Sequence, residues 1–177
     1  MPILVSDTQE TEYEPTPTGL IKAILVNVIP IGLQEGFGGK IQDKVVFLWE
    51  VETLKEDGSH FLVTKEYTRN LGEKANLRKD LKSWRGKDFE PEELKCFDLE
   101  KTIYKPCQLN LVQKGKWVNV DSVLPASKDA YWSPVTKRDY IPNFVKKWID
   151  EQLVGNATEK QKQQLQDDIK SADPGIF

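Results

Sequence analysis

Residues 62–89 read LVTKEYTRNLGEKANLRKDLKSWRGKDF and contain the end of one predicted element and the whole of the next. The residues up to Thr68 are rich in β-branched and aromatic side chains, as is typical of a strand. A helix is predicted to follow, with Asn70 and Glu73 as a capping box at its start and Gly86 as the residue that ends it. The stretch therefore predicts a strand that leads directly into a helix.

The predicted helix has an apolar side and a basic side. At about 100° per residue, Leu77, Leu81 and Trp84 lie close together on one stripe that is expected to face the core. The cations of the adjacent stripe are Lys74, Arg78, Lys82 and Arg85. Because the acids Glu73 and Asp80 lie on the other flank of the apolar stripe, the helix is expected to be charged unevenly.

Further strands are predicted on both sides of this stretch. Apolar and alternating patterns predict strands at 19–31, 44–54, 60–68, 105–113 and 116–125. A turn signal in 55–59 joins the second and third of these as a hairpin. Three strands, a helix and two strands predict a mainly β fold, a five-stranded barrel of the oligonucleotide/oligosaccharide-binding (OB) type. The same order also suits an SH3-like or other small barrel.

The chain is predicted to form one barrel domain with appended segments. Residues 1–18 are acidic and predict a flexible lead-in, and residues 19–125 make up the barrel. Residues 126–155 predict an irregular wrapping segment followed by a helix, and residues 156–177 predict a polar tail. The apolar face predicted for that helix consists of Phe144, Val145, Trp148, Ile149 and Leu153.

Composition and motifs argue against several classes of protein. The 177 residues include no uninterrupted apolar run that could span a bilayer, and the N-terminus has no secretory pattern, so we expect a cytoplasmic protein without membrane contact. The motifs GxxxxGKS/T, GxGxxG and HExxH are absent, so no cofactor or metal is expected. Cys96 and Cys107 predict free thiols that are buried or partly buried, and the single His60 supports no catalytic triad. We therefore do not expect an enzyme.

The charge of the opening stretch differs from that of the whole chain. Between residues 65 and 87 there are eight Lys or Arg residues and three acids, a balance of +5 in a chain whose net charge is −3. Such a patch attracts a polyanion that the whole protein would repel. A basic groove that follows phosphates, together with exposed rings on which bases stack, binds single-stranded nucleic acid without reading its sequence. The alternative is that these charges only solubilise the helix.

Several aromatic residues lie next to cations at positions that converge in an OB barrel. We predict that Tyr67, Phe37 and Trp117 stack on bases. The predicted nucleic-acid-binding residues are Lys65, Tyr67, Arg69, Lys74, Arg78, Arg85, Lys87, Phe37, Lys40, Lys116 and Trp117. Trp49 and Trp84 are instead expected in the core, because their spacing points inward.

Two nearby stretches, TKEYTRNLGEKANLRKDLKSWRGKDF and EELKCFDLEKTIYKPCQLNLV, resemble the bacteriophage single-stranded DNA-binding proteins of the OB-fold type. The resemblance covers roughly residues 20–125 and is most specific at LRKDLKSWRG. It departs at Asn70, where serine is usual, and at Tyr104, where glycine is common. The resemblance implies a non-catalytic protein that binds single-stranded DNA in phage DNA replication or recombination.

The C-terminal residues Ile176 and Phe177 are predicted to bind a protein partner. An acidic end that closes on apolar residues resembles the tips by which bacterial single-stranded DNA-binding proteins recruit replication and repair enzymes. The alternative for this segment, in which acids are sparse, is a disordered end without a partner.

Two other functions are open for the chain. A protein-interaction or virion-associated module would use the aromatic residues of 131–148 as an apolar docking surface. A nuclease or another DNA enzyme would use Asp43, Glu50 or Glu52 with Mg²⁺. The sequence also does not decide between a monomer and a homo-oligomer.

Overall fold

The computed structural model describes residues 14–153 and is mainly β. Its five strands are β1 (Gly19–Glu35), β2 (Ile41–Leu54), β3 (His60–Thr68), β4 (Pro106–Lys114) and β5 (Trp117–Leu124). Its α-helices are α1 (Asn76–Arg85), α2 (Pro91–Lys95) and α3 (Asn143–Asp150), and short 3₁₀ turns lie at Phe37–Gly39 and Leu99–Thr102. The five predicted strands and the predicted helix between the third and the fourth are confirmed.

The strands form one antiparallel sheet in the order β3-β2-β1-β4-β5. The long strand β1 occupies the centre, because its first residues pair with β4 while residues from Ala23 to Glu35 pair with β2. Irregularities in the β1–β2 register lie between Leu25 and Asn27 and between Pro30 and Gly32, and such bulges bend a strand. The edge strands β3 and β5 share no hydrogen-bonded ladder, although some of their Cα atoms lie within 8 Å of one another.

One side of every strand contributes to a single inner cluster of buried apolar residues. Alternation along β2 places Phe47 and Trp49 in this cluster, where both side chains are almost completely buried. Leu77 and Leu81 of α1 close the cluster, and Trp84 packs against it. The inward positions predicted for the helix stripe and for Trp49 are therefore confirmed.

The opposite side of β1 and β2 has a second apolar cluster. Its buried residues are Val26, Ile29, Ile31, Val46, Leu48 and Val145. Val145 comes from α3, and Trp148 and Ile149 of the same helix pack against the cluster. Residues 126–142, which we call the covering segment, contain no regular helix or strand and connect β5 to α3. The central part of the sheet is thus covered on both faces.

The capping box predicted for α1 is wrong. The helix begins at Asn76, and the side chain of Asn70 instead accepts a hydrogen bond from the backbone N–H of Gly72, at 2.7 Å. An Asn side chain readily forms such a local turn, which competes with capping a helix. A capping box is present at α2, where Glu90 and Glu93 exchange hydrogen bonds. The predicted end of α1 is confirmed, since Gly86 adopts the left-handed conformation there, with φ of 73°.

Two further predictions are partly corrected. Helix α3 ends at Asp150, so Leu153 lies beyond it, and the backbone N–H of Leu153 bonds the carbonyl of Leu33 at 2.9 Å. Both cysteines are free, but only Cys107 is buried, and Cys96 is exposed. Among residues 14–153, no helix is long and apolar enough to cross a membrane.

Candidate nucleic-acid interface

A cleft of about 880 Å³ opens where β2 begins and β3 ends. Alternation points Gln42 and Lys44 of β2 and Glu66 and Thr68 of β3 away from the inner cluster. These side chains line the cleft, together with Lys40 and with Lys74 from the segment that leads into α1. The cleft is therefore a polar end of the same sheet face that is apolar at its centre.

The connection between β1 and β2, which contributes Lys40 to this cleft, presents one aromatic ring to solvent. Phe37 is fully exposed, at 102% of its reference area, and Lys40 at the base of the same turn lines the cleft. The turn is closed by a hydrogen bond from the Gly36 N–H to the Lys40 carbonyl, at 2.6 Å. Gly38 and Gly39 have φ of 71° and 77°, which residues with a Cβ adopt only rarely. A defined turn thus displays a ring that makes no contribution to the core.

Two lysines supply the available positive charge of the cleft. Lys40 and Lys74 are exposed and form no ion pair with any residue in the described range 14–153. Lys44, in contrast, pairs with Glu66 on the neighbouring strand. A phosphate could bind Lys40 and Lys74 directly, whereas binding to Lys44 requires exchange with the Glu66 carboxylate.

Lys65 and Tyr67 do not have the positions that were predicted for them. The Lys65 ammonium and the Tyr67 hydroxyl both donate to the same oxygen of Asp80, each at 2.6 Å, and Asp80 is 4% exposed. The Tyr67 ring packs edge-on against Phe47 and only 2% of the residue is exposed, so the prediction that it stacks on a base is wrong. Burial and the neighbouring Asp80 raise the pKa of Tyr67, which keeps the phenol neutral. The three groups fasten α1 to β3.

Three predicted phosphate ligands are also bound to carboxylates. Arg78 donates to both oxygens of Asp88, at 3.2 and 3.3 Å, and hydrogen bonds from Arg78 and the Phe89 N–H lower the pKa of Asp88 to about 2. Arg69 pairs with Asp43 at 3.2 Å on the surface. Arg85 donates to Glu93 at 2.7 Å and lies over the Phe89 ring. Because Arg78 and Arg85 hold residues 88–93 against α1, they are less available than their sequence pattern suggests.

The remaining predicted residues are exposed but lie outside the cleft. Lys87 follows the end of α1, Lys116 lies in the turn between β4 and β5, and Trp117 is the first residue of β5 and is 74% exposed. None of the three lines the cleft. The structure therefore brings together Lys40, Lys74 and the buried Tyr67 from the predicted set at this cleft, and Phe37 belongs to the same turn as Lys40. The structure also places Lys44 in the cleft, although it was not among the predicted residues. Alternation along β2 would have been enough to predict that its side chain points away from the inner cluster.

The centre of the outer sheet face is closed by the covering segment. Glu50 is completely buried, and its carboxylate accepts hydrogen bonds from the Trp132 indole N–H at 2.7 Å and from the Thr136 N–H and hydroxyl at 2.9 and 2.6 Å. Burial alone would raise the pKa of Glu50, but the bonds from Thr136 and Trp132 outweigh it and lower the pKa below 4.5. The expectation that all candidate residues converge on an open sheet face is thus corrected.

The acids considered for a DNA enzyme do not come together. Asp43 pairs with Arg69, Glu50 is enclosed by the covering segment, and Glu52 is exposed. Within residues 14–153, no group of three or more His, Cys, Asp or Glu side chains is placed to hold a metal ion.

Comparison with known proteins provides no family assignment. No family model matches the chain, and no curated protein matches it. The resemblance to phage single-stranded DNA-binding proteins therefore stays a prediction. The predicted partner-binding residues Ile176 and Phe177 lie outside the described part of the chain.

Proposed function

We propose that the chain binds single-stranded DNA without catalysis, in phage DNA replication or recombination in the host cytoplasm. The observation that carries the proposal is the fully exposed Phe37 on a glycine turn whose base, Lys40, lines a lysine-bearing cleft. A ring beside cations is the combination that holds single strands by stacking and phosphate contacts. The sequence resemblance supports the same function.

We also propose that the sheet curves into a barrel of the OB type. Three observations support this fold: β1 pairs with both β2 and β4, all five strands share one inner cluster, and β3 approaches β5. In OB folds the loops after the first and fourth strands border the ligand site. Phe37 and Trp117 are the exposed aromatic residues at these two loops.

In this proposal the binding surface is small. Lys40 and Lys74 neutralise phosphates, and Phe37 stacks on a base. Lys44 adds a contact when a phosphate replaces Glu66 as its partner. Trp117 with Lys116 contacts a more distant part of the strand. We therefore expect moderate affinity that depends on few ionic contacts.

The proposal is tested by titrating fluorescein-labelled oligo-dT with the protein at several salt concentrations. Each phosphate contact to a single strand contributes about −0.7 to the slope of log K against log salt. For two to four contacts we expect a slope of roughly −1.5 to −3. Duplex of the same length should bind more weakly, because its bases are not available for stacking. A flat salt response, or equal binding of the duplex, would contradict the proposal, and an oligo-U arm measures the preference between DNA and RNA.

Replacing the exposed ring gives the most specific test of the site. Phe37→Ala should weaken oligo-dT binding by about 1 to 3 kcal/mol, the value of one stacked base, without changing the melting temperature. Phe144→Ala is the matched control, since Phe144 is 46% exposed on α3, whereas Phe37 is on the turn that carries Lys40. Equal affinities of the two variants would remove Phe37 from the interface.

A second candidate function is that of a protein-interaction module. Tyr131, Trp132 and Trp148 are partly buried, but Val135, Tyr140 and Phe144 remain exposed, at 70%, 44% and 46%. An exposed apolar surface is typical of a protein contact. Binding of a host or virion protein that persists at high salt, with no affinity for oligo-dT, would favour this function.

A further inference from the structure

A smaller pocket of about 350 Å³ lies between α1, the turn Leu99–Thr102 and the start of β4. Its walls include Leu81, Trp84 and Phe97, which belong to or pack against the inner cluster. The indole N–H of Trp84 donates to the Pro106 carbonyl at 2.9 Å, which holds the ring in place. The pocket is therefore a preformed apolar depression and has no role in the function proposed above.

The charged residues of this pocket all have the same sign. Arg85, Lys101 and Lys105 line it, and no Asp or Glu does. Lys101 and Lys105 are exposed and form no ion pair with any of the residues that the structure describes. The cleft beside Phe37 is different, since Glu66 and Glu73 accompany its lysines. The small pocket thus joins an apolar floor to an uncompensated cationic rim.

Arg85 adds a positive charge whose position is fixed by its neighbours. One guanidinium nitrogen, Nη2, donates to Glu93 at 2.7 Å. The other, Nη1, is shielded from solvent and has no hydrogen-bond partner in the described part of the chain. The guanidinium lies 4.6 Å from the centre of the Phe89 ring and 5.5 Å from that of the Phe97 ring, so its positive charge is held in place at the wall of the pocket.

We propose that this pocket binds an acidic peptide segment of a partner protein, with one aliphatic or aromatic side chain on the apolar floor and carboxylates on Lys101 and Lys105, beside the charge of Arg85. Charge complementarity selects the acidic residues, and the apolar walls select the inserted side chain. A nucleic-acid strand fits less well, because stacking requires an exposed ring, whereas Trp84 and Phe97 are partly buried and pack against the inner cluster. The inference does not depend on DNA binding by the Phe37 cleft.

The test uses the full chain and a short fluorescein-labelled peptide of Asp, Glu and Gly with one central Phe. Anisotropy measures its affinity, and the indole N–H signal of Trp84 in a ¹H–¹⁵N spectrum reports where it binds. A peptide with Asn and Gln in place of the acids should bind at least about tenfold more weakly, because it loses the charge-assisted hydrogen bonds. Equal binding of the two peptides, or an unchanged Trp84 signal, would overturn the proposal.

Two variants separate the rim from the floor. Lys101→Glu with Lys105→Glu should reduce peptide affinity at least about tenfold. Lys128→Glu with Lys146→Glu, which changes charge equally at exposed sites outside the pocket, should leave it unchanged. Ala126→Trp, at an exposed position of the pocket wall, should block entry of the Phe side chain. Wild-type affinity for the peptide in the Lys101→Glu, Lys105→Glu double variant or in Ala126→Trp would overturn the proposal.

The same measurements distinguish a partner peptide from two other ligands of this pocket, a nucleic acid and the chain's own C-terminal residues. If oligo-dT shifted the Trp84 signal and competed with the peptide, the pocket would belong to a nucleic-acid site and the proposal would fail. If the peptide bound only after removal of residues 172–177, the occupant would be the chain's own segment rather than a partner. Phe37→Ala should retain peptide binding, so failure of the DNA proposal leaves this test intact.

Discussion

The outer face of the sheet has a covered part and an open part, although the same strands make both. In the covered part, Leu48 and Glu50 of β2 lie beneath α3 and the covering segment and are completely buried. A few residues earlier on the same face of β2, Lys44 lines the open cleft. A sheet face therefore cannot be assigned as a binding surface as a whole, because a later part of the chain decides which residues meet solvent.

The basic residues show the same contrast. Lys65, Arg78 and Arg85 bind carboxylates and hold α1 and residues 88–93 in place. Lys40 and Lys74 extend into solvent at the cleft. The first group is expected to affect stability, and the second is expected to affect binding.

The largest effect should follow from breaking the covered part. Glu50→Ala leaves the Trp132 indole N–H and the Thr136 donors without their acceptor, so we expect a loss of about 3 to 5 kcal/mol in the free energy of unfolding. Urea denaturation measures the loss. Glu52→Ala, at an exposed position of the same strand, should change stability by less than about 0.5 kcal/mol. Similar midpoints for the two variants would show that the carboxylate does not hold the covering segment.

A smaller loss of stability is expected from Lys65→Met. Among residues 14–153, the substitution leaves the Tyr67 hydroxyl as the remaining side-chain hydrogen-bond partner of the buried Asp80. Because the Lys65 side chain is 22% exposed, we expect about 1 to 3 kcal/mol, below the range for a fully buried pair. Oligo-dT affinity of the folded variant should stay unchanged. If Lys65→Met lost affinity for oligo-dT and kept its stability, Lys65 would have to be a DNA-binding residue.

Lowering the pH should reduce the free energy of unfolding by less than Glu50→Ala does, because a protonated Glu50 carboxyl still accepts hydrogen bonds. The pKa of Glu50 in the folded chain lies below its ordinary value of 4.5, so the unfolded chain takes up the proton first as the pH falls. The contribution of Glu50 is fully present above pH 4.5 and is lost as the pH falls through the lowered folded value. Urea midpoints measured between pH 6 and pH 3 should therefore fall more steeply for the wild type than for Glu50→Gln. Parallel curves would refute this role of Glu50.

The smallest expected effect is on the affinity for oligo-dT, after a substitution in the open cleft. Lys74→Ala should weaken oligo-dT binding about threefold to fivefold and make the salt dependence shallower by about 0.7, as expected for one lost phosphate contact. Lys79→Ala is the control, because Lys79 is exposed on α1 but does not line the cleft. Equal salt slopes for the two variants would mean that the cleft is not the path of the strand.

The sequence by itself determined the five strands, the inward stripe of α1 and the stop at Gly86. These features follow from alternation, from the helical period and from the conformational freedom of one glycine, which are properties of neighbouring residues. The exposure of Phe37 could also be predicted from the sequence, because a large apolar residue among glycines has no nearby partner to bury it.

Only the tertiary structure decided which charges and rings are available. Tyr67 looked like a surface aromatic next to Lys65, but the strand turns its ring inward and Asp80 of α1 binds both residues. Glu50 was considered as a Mg²⁺ ligand of a DNA enzyme, yet its carboxylate binds Trp132, which lies 82 residues further along the chain. Ion pairs and coverage depend on residues that are distant in sequence, so no local pattern encodes them.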